Sequence, residues 1–484
     1  MFSPSTVNRL EYMTFLTIGL SYLWPWNCFL SAVPYFHSRL AGHLALQQNL
    51  SSSLMIISTV TSTATFILLA FKRTPPAHKT SKVTKHTISV TESAVNSGED
   101  EETVNYENRV ILGELLIGAV FIVLAGSCVL FTNSSSGIGY FLFLLLAIFS
   151  STLGTSLAQN GSFAIVSLFG PIYTQAIMVG QAIAGILPPI VSMLSIISSL
   201  SRDDDKPGTD EEISGKSTFF YFLVASLAAL IAFTLFKLVL KTGPEEILTN
   251  TEPGSSAVLL HDEAVQSYNS LLAESSTTAN VEDDYDYDLE VLPSGRAHEV
   301  DPYKLILKLR VPIFTVFSVF SVTLAYPVFS ELVLPVHTGS VIFNRNVFIP
   351  FAMFVWNLGD LAGRLICGSS KWVVRGDKNF IMYSIGRFAF LPAYLLFTNI
   401  NGRLTNGGGA ATGLSQWLGD EVFLVIHFLF GFTNGHLGSS AMMASPSYVD
   451  PEEREKGGSL MTLALSLGLT VGALFSLALV HILA

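Results

Sequence analysis

Long apolar blocks of about 20 residues or more limit the fold of this chain more than any other feature of its sequence. A helix of about 20 apolar residues crosses the hydrocarbon core of a bilayer, which is about 30 Å thick. Only 13% of the 484 residues are charged, against about 25% in an ordinary soluble domain. The chain is therefore not a soluble enzyme, and we predict an all-α membrane protein with eleven transmembrane helices. The predicted spans are 10–34, 51–71, 110–131, 138–166, 171–200, 217–240, 305–328, 346–367, 380–399, 421–444 and 458–482.

Two polar segments, 72–109 and 241–303, interrupt the apolar pattern and have the Ser, Thr, Glu and Asp content typical of disorder. They hold many of the acidic residues behind the net charge of −11. We predict an N-terminal bundle (1–240, six spans), an acidic cytosolic loop (241–303) and a C-terminal bundle (304–484, five spans). Two helical bundles around a central cavity are typical of transporters. No basic stripe indicates nucleic-acid binding.

The basic residues predict the orientation. Most Lys and Arg outside the spans fall on the cytosolic side if the N-terminus is cytosolic. In that orientation the C-terminus is outside or lumenal. The sequons at Asn49 and Asn133 then lie on the outer or lumenal side, where glycosylation takes place. We predict both asparagines as glycosylation candidates.

The eighth span carries the strongest polar signal. Asp360 and Arg364 are four residues apart and can pair on one helix face, with Asn357 one turn earlier. A charge at the bilayer centre costs about 2.5–3.5 kcal/mol on insertion scales, so such residues face the bundle interior. We predict that they contact a polar solute; the alternative is a structural ion pair that holds two bundles together. With Asp360 interpreted as the only deep carboxylate and kept ionised by Arg364, we expect transport without proton coupling.

Other spans contain uncharged polar or aromatic candidates. Gln159 and Asn160 in the fourth span have amides that can bind a base or sugar edge, or join helices. For Gln181 in the fifth span we favour packing. Trp26, beside a proline kink at Pro25, is placed to stack on a flat heterocycle. The G-x-x-x-G pairs 359–363, 431–435 and 468–472 indicate close helix packing.

The spans lack a nucleophile–base pair, a phosphate-binding loop and a cluster of metal ligands. His427 and His436 are nine residues apart, a spacing that does not place them on one helix face. We therefore predict no enzymatic activity, no catalytic residue, no metal site and no cofactor.

Five motifs, in order along the chain, resemble those of the equilibrative nucleoside transporters, the solute carrier family 29 type. They are GL and LWPWN at 19–20 and 23–27, N and DLAGR at 357 and 360–364, RF and P at 387–388 and 392, FTNG at 432–435, and GLTVGALFS at 468–476. The resemblance covers the membrane body from end to end. Trp24 departs from the pattern, since the family often has an aliphatic residue there.

The resemblance implies a major-facilitator-like fold and facilitated diffusion of purine and pyrimidine nucleosides, sometimes nucleobases, by alternating access. Carried over by motif, Trp26 stacks near the base and Gln159 hydrogen-bonds to it. Asp360 and Arg364 engage the ribose hydroxyls and the base, alongside Asn357, and also act as a gate. The remaining residues carried over are Leu23 and Leu30 on the apolar wall and Pro327 at the outer gate.

Two alternatives remain at this point: a facilitator of another polar solute (a sugar, peptide or drug) on the same fold, or a non-transporting receptor. Residues 268–271 (YNSL) in the acidic loop have the form of a tyrosine-based sorting signal, which suggests a sorting adaptor as a partner. The sequence is compatible with a vacuolar, lysosomal or plasma membrane.

Overall fold

The computed structural model describes residues 8–71, 106–130, 137–200, 210–242, 301–336, 341–402 and 413–483. Asn133, the YNSL motif and most of the two predicted loops lie outside these ranges. The described residues are almost entirely helical. The helices are α1 (Arg9–Ser31), α2 (Val33–Arg39), α3 (Leu44–Phe71), α4 (Tyr106–Leu130), α5 (Gly137–Phe169), α6 (Pro171–Leu200), α7 (Asp210–Thr242), α8 (Pro302–Lys308), α9 (Arg310–Thr323), α10 (Ala325–Leu332), α11 (Arg345–Ile366), α12 (Asp377–Gly386), α13 (Phe390–Phe397), α14 (Gly413–Ala444) and α15 (Arg454–Leu483).

Nine described helical segments are long and apolar enough to cross a membrane, judged by length and composition. α1 and α11, at 23 and 22 residues, are the other two helices that coincide with predicted spans. The all-α prediction is confirmed, while the count of eleven spans stays a prediction.

Side-chain caps explain where three helices begin. The side chains of Asn8, Asp301 and Asn344 each accept a hydrogen bond from a backbone N–H two residues later. Such caps satisfy N–H groups that have no partner within the helix. Before α8, Pro302 follows its cap at the first helical position, where no N–H is needed.

The seventh span is longer and more broken than predicted. It continues through α9 and α10 to Leu332, with a break at Leu324. Pro327 lies in the first turn of α10, and the helix continues four residues beyond the predicted end of the span at residue 328. A proline is tolerated in a first helical turn because its missing N–H would have no intrahelical partner there.

The helices form two groups by their contacts: the first helix group, α1–α7, and the second helix group, α8–α15. Within the second group, α11 and α14 pack closely through glycines. A Cβ atom at Gly359 would overlap the Phe428 carbonyl oxygen, and one at Gly435 would overlap that of Asp360. The prediction of close approach at these G-x-x-x-G pairs is confirmed. Between the groups, α6 packs on α11 and α14, and α15 packs on α3 and α5.

Candidate functional site

The predicted pair of Asp360 and Arg364 is present near the end of α11. Arg364 Nε donates to Asp360 Oδ2 over 2.8 Å, and the two residues are 3% and 6% exposed. The i,i+4 spacing places both side chains on one face of the helix. Two full charges are thus buried together between the two helix groups.

Asp360 also accepts a hydrogen bond from an amide of its own helix group, a side chain to which the sequence assigned no role. Asn434 Nδ2 on α14 donates to Asp360 Oδ1 over 2.7 Å. Thr323 Oγ1 on α9 in turn lies 2.5 Å from Asn434 Oδ1 and donates to it. Asn434 belongs to the FTNG motif, which was the available signal, but sequence alone did not show that it faces Asp360.

Arg364 connects the second helix group to α6 of the first. Its Nη1 donates to the Met178 carbonyl oxygen over 2.7 Å and to Gln181 Oε1 over 3.0 Å. Gln175 Nε2 donates to the Arg364 carbonyl oxygen over 3.0 Å. The interpretation of Gln181 as a packing residue is therefore incomplete, because its amide accepts a hydrogen bond from the guanidinium.

Asn357 also faces α6, but one of its donors is used within its own helix. Its Nδ2 donates to the Met353 carbonyl oxygen over 2.8 Å. A Cβ atom at Gly185 would lie 2.6 Å from Asn357 Oδ1, so the absence of a side chain at this position of α6 allows Asn357 to approach closely. Asn357 therefore lies at the same α6–α11 contact as Asp360 and Arg364.

Leu23, Trp26 and Leu30 lie on one face of α1. Leu30 is 51% exposed, and the other two are half-buried. Trp24, and not Trp26, lines a cavity of about 90 Å³ between α1, α6 and α7. Beside it, Asn27 Nδ2 donates to the carbonyl oxygen of Ala184 over 2.8 Å.

The two neighbouring amides of α5 have different surroundings. Asn160 Nδ2 donates to Ser459 Oγ over 2.8 Å and lies 3.2 Å from Thr462 Oγ1, both on α15. Asn160 Oδ1 accepts from Arg109 on α4. Asn160 therefore joins helices, the alternative weighed from sequence. Gln159 is buried on the same helix.

Within the ranges that the structure describes, no hydrogen bond joins Gln159 or Trp26 to Asp360 or Arg364. The structure thus brings together Asp360, Arg364 and Asn357 of the predicted set, and adds Gln181 and Asn434. Pro327 lies beside Tyr326, whose ring stacks on Trp356 of α11 at a centroid distance of 4.0 Å. Asn49 is exposed near the start of α3.

The hydrogen bonds described between the two helix groups lie in the middle of the body and toward the face at which α1 begins, here called the N-terminal face. Arg364 is in the last turn of α11, and its partners are in the first half of α6. Asn160 is near the end of α5 and bonds to the start of α15. Thr63 and Thr470, 2.8 Å apart, join α3 to α15. The groups are closed on this side.

Glu114 on α4 is a second deep carboxylate, which makes the interpretation of Asp360 as the only one wrong. Glu114 is fully buried, and Ser21 Oγ on α1 lies 2.6 Å from its Oε1. The residue lies only four positions inside the predicted third span, so its position near the edge of an apolar block made it easy to overlook.

The arrangement at α11 suits the binding of a neutral, hydroxyl-rich solute. A carboxylate accepts several hydrogen bonds and a guanidinium donates up to five, so both can exchange protein partners for solute hydroxyls and ring nitrogens. Gln181 and Asn434 add amide groups that both donate and accept.

Comparison with known proteins agrees with this chemistry. The family model described as nucleoside transporter matches residues 144–481, more than half of the chain. The chain is 28% identical to the nucleoside transporter FUN26 of Saccharomyces cerevisiae, over 98% of this chain and 85% of that protein. It is 25% identical to human equilibrative nucleoside transporter 1, over 98% and 97%.

Among solved structures, a double tryptophan mutant of XylE has a TM-score of 0.54 at 13% identity, covering 97% of this chain and 90% of that one. At that identity the likeness concerns the fold alone, and it agrees with the predicted major-facilitator-like architecture. Membership of a transporter family also confirms the prediction that the chain is not an enzyme. The match over most of its length shows that this multi-pass membrane protein belongs to the nucleoside transporter family.

Proposed function

We propose that the α6–α11 contact around Asp360 and Arg364 is the polar part of a nucleoside-binding site, and that the two helix groups rock about it. The chain moves nucleosides by alternating-access facilitated diffusion, as its family indicates. The observation that carries the proposal is that Arg364 bonds to both helix groups at once, within its own helix to Asp360 and across to Gln181. A solute that takes over these bonds would alter the contact between the groups.

The remaining predicted residues are proposed to complete the site. Trp26, with Leu23 and Leu30 on the same face of α1, supplies the apolar and aromatic side for the base. Gln159 hydrogen-bonds to the base, and Asn357 adds an amide on α11. Pro327, next to the stacked Tyr326, lies at the outer gate. The half-buried or buried positions of Trp26, Leu23, Gln159, Asn357 and Pro327 support this assignment, whereas Leu30 is exposed.

We also propose the topology. The first helix group corresponds to the bundle 1–240 and the second to 304–484, with the N-terminal face in the cytosol and the C-terminus outside or lumenal. The cross-group bonds then close the cytosolic side, so the structure represents an outward-facing state. Glycosylation of Asn49 and Asn133, a sorting adaptor bound at Tyr268, and residence in a vacuolar, lysosomal or plasma membrane belong to the same proposal.

Uptake by proteoliposomes of the purified protein tests the function. We expect saturable, equilibrating uptake of labelled uridine and adenosine with no ion gradient, competed by the other nucleoside. Asp360→Ala and Arg364→Ala are expected to abolish uptake, while Glu421→Gln, at an exposed carboxylate, is the matched control. Normal uptake by both alanine variants would refute the site. Competition by a sugar or peptide but not by nucleosides would refute the substrate.

A further inference from the structure

Among the residues that the structure describes, Glu114 is a buried carboxyl without a cationic partner. It is fully buried on α4, its Oε1 lies 2.6 Å from Ser21 Oγ, and its Oε2 has no hydrogen-bond partner. Burial of an ionised carboxylate without a paired cation is strongly unfavourable. Asp360 differs, because Arg364 and Asn434 satisfy its two oxygens.

The short contacts of Ser21 are consistent with a proton on Glu114. Ser21 Oγ is 2.8 Å from the Ile18 carbonyl oxygen as well as 2.6 Å from Glu114 Oε1. A hydroxyl has one hydrogen, and neither acceptor supplies another if Glu114 is ionised. If Glu114 is protonated, its O–H donates to Ser21 Oγ and Ser21 donates to Ile18. Both short contacts are then hydrogen bonds.

The helices packed against Glu114 offer no described cation to neutralise it. α4 packs on α1, α5 and α7. On α1, Tyr22 follows Ser21, and its buried hydroxyl has no hydrogen-bond partner among the described residues. On α4 itself, Arg109 turns to Asn160. The other ionisable groups described on these helices include Tyr140 at the opposite end of α5, Lys237 exposed on α7 and Tyr221 at the cavity beside Trp24. Arg9, Glu11 and Tyr12 lie at the start of α1, and Tyr106 and Glu107 lie at the start of α4.

Helix α1 connects this carboxyl to the α6–α11 contact. Ser21, the hydrogen-bond partner of Glu114, lies on α1, and α1 packs closely on α6. A Cβ atom at Gly180, one residue before Gln181, would overlap the Leu16 carbonyl oxygen of α1. A charge that appears on Glu114 would therefore disturb a contact that positions Gln181, the partner of Arg364.

We propose that Glu114 is a proton-binding site, occupied in this conformation, and that uptake requires this proton. The inference rests on the proposed function for its transport readout. When the proton leaves to solvent, an unpaired negative charge remains between α1 and α4 and disturbs the packing that positions Gln181 and Arg364. Uptake therefore falls as pH rises through the titration of Glu114.

Glu114→Gln tests the proposal, since glutamine keeps the hydrogen bond to Ser21 but cannot ionise. Infrared spectra of the purified protein at neutral pH are expected to show a protonated-carboxyl C=O band in wild type and in Glu421→Gln, and to lack it in Glu114→Gln. Uridine uptake by wild type is expected to fall up to about tenfold per pH unit on the alkaline side. Uptake by Glu114→Gln is expected to stay level.

Ser21→Ala gives a second test that does not depend on the glutamine variant folding. When Glu114 ionises, Ser21 Oγ donates to the carboxylate, and a hydrogen bond to a charged acceptor is stronger than one to a neutral group. Removal of the hydroxyl therefore disfavours the ionised form, and the alkaline fall in uptake is expected to move to higher pH. An unmoved fall in Ser21→Ala, an unchanged infrared band in Glu114→Gln, or identical pH profiles in wild type and Glu114→Gln would overturn the proposal. A band lost in Glu114→Gln together with no nucleoside uptake by wild type would overturn the proposed function and leave the proton site standing.

Discussion

Asp360→Asn separates the charge of the α11 pair from its hydrogen bonds. In the variant, the Asn434 amide can flip to accept from the new amide, because Thr323 Oγ1 has a second acceptor in the Val319 carbonyl oxygen at 2.7 Å. Arg364 still has neutral acceptors in Met178 and Gln181. The substitution therefore chiefly removes the negative charge.

The expected loss follows from burial. Arg364 is 6% exposed, so its charge is left in a largely water-free environment. Removal of one partner of a buried ion pair costs about 3–5 kcal/mol of stability, whereas replacement of both partners by uncharged residues of similar volume often changes stability little. Asp360→Asn and Arg364→Gln are each expected to lose about 3–5 kcal/mol, and the double variant no more than either single one. The coupling energy is then at least about 3 kcal/mol in magnitude.

Chemical unfolding in detergent micelles measures these stabilities, and uridine uptake in proteoliposomes measures function in the same four proteins. We expect the double variant to regain stability and still fail to transport, because the solute has lost both charged partners. If the two single losses add in the double variant, the pair does not stabilise the protein by its charges. If the double variant transports like wild type, Asp360 and Arg364 form a structural ion pair only.

Three further substitutions test the surroundings of the site. Gly435→Ala is expected to destabilise the protein by about 1–3 kcal/mol through overpacking against α11, while Gly438→Ala, with only ordinary contacts, serves as its control in the unfolding assay. The Lys308 ammonium lowers the pKa of Asp450 below its ordinary value of 3.8. The ion pair therefore stabilises the folded protein above pH 3.8, and this stabilisation is lost as the pH falls through the lowered pKa. Asp450→Asn is expected to remove that part of the acid dependence of unfolding. Asn160→Ala is expected to weaken the closed N-terminal face and increase cysteine-labelling access from that side, and unchanged labelling would contradict its role as a joint.

The helical architecture could be predicted because the bilayer imposes a length on every apolar block. The breaks inside the spans were harder to predict from the sequence. The seventh span breaks at Leu324, three residues before Pro327. In a continuous helix the Pro327 ring would clash with the Thr323 carbonyl, so this proline accounts for the break. The sequence does not show, however, that the chain resumes as a helix up to Leu332.

The charged pair could be predicted because i,i+4 spacing lies within one helix. Its partners could not, because Gln181, Asn434 and Gln175 come from helices distant in sequence whose rotation is set by packing. An amide in a span looks the same in sequence whether it binds a solute or joins helices. Asn160 and Gln159 show this most clearly, since adjacent positions on α5 have different surroundings.

The division of the bonds made by Arg364 explains how a buried charge can survive a large movement. Its Nε bonds to Asp360 on the same helix, while its Nη1 bonds to Met178 and Gln181 in the other helix group. Rigid-body rocking that opens the N-terminal face must break the Nη1 bonds but moves Asp360, Arg364 and Asn434 together. The charge therefore stays neutralised throughout, and only bonds to neutral acceptors, which contribute about 1.5–3 kcal/mol each when the donor is charged, are exchanged for water or solute. An ion pair formed between the two helix groups would have to separate two buried charges in every cycle, and placing the pair within one helix avoids that barrier.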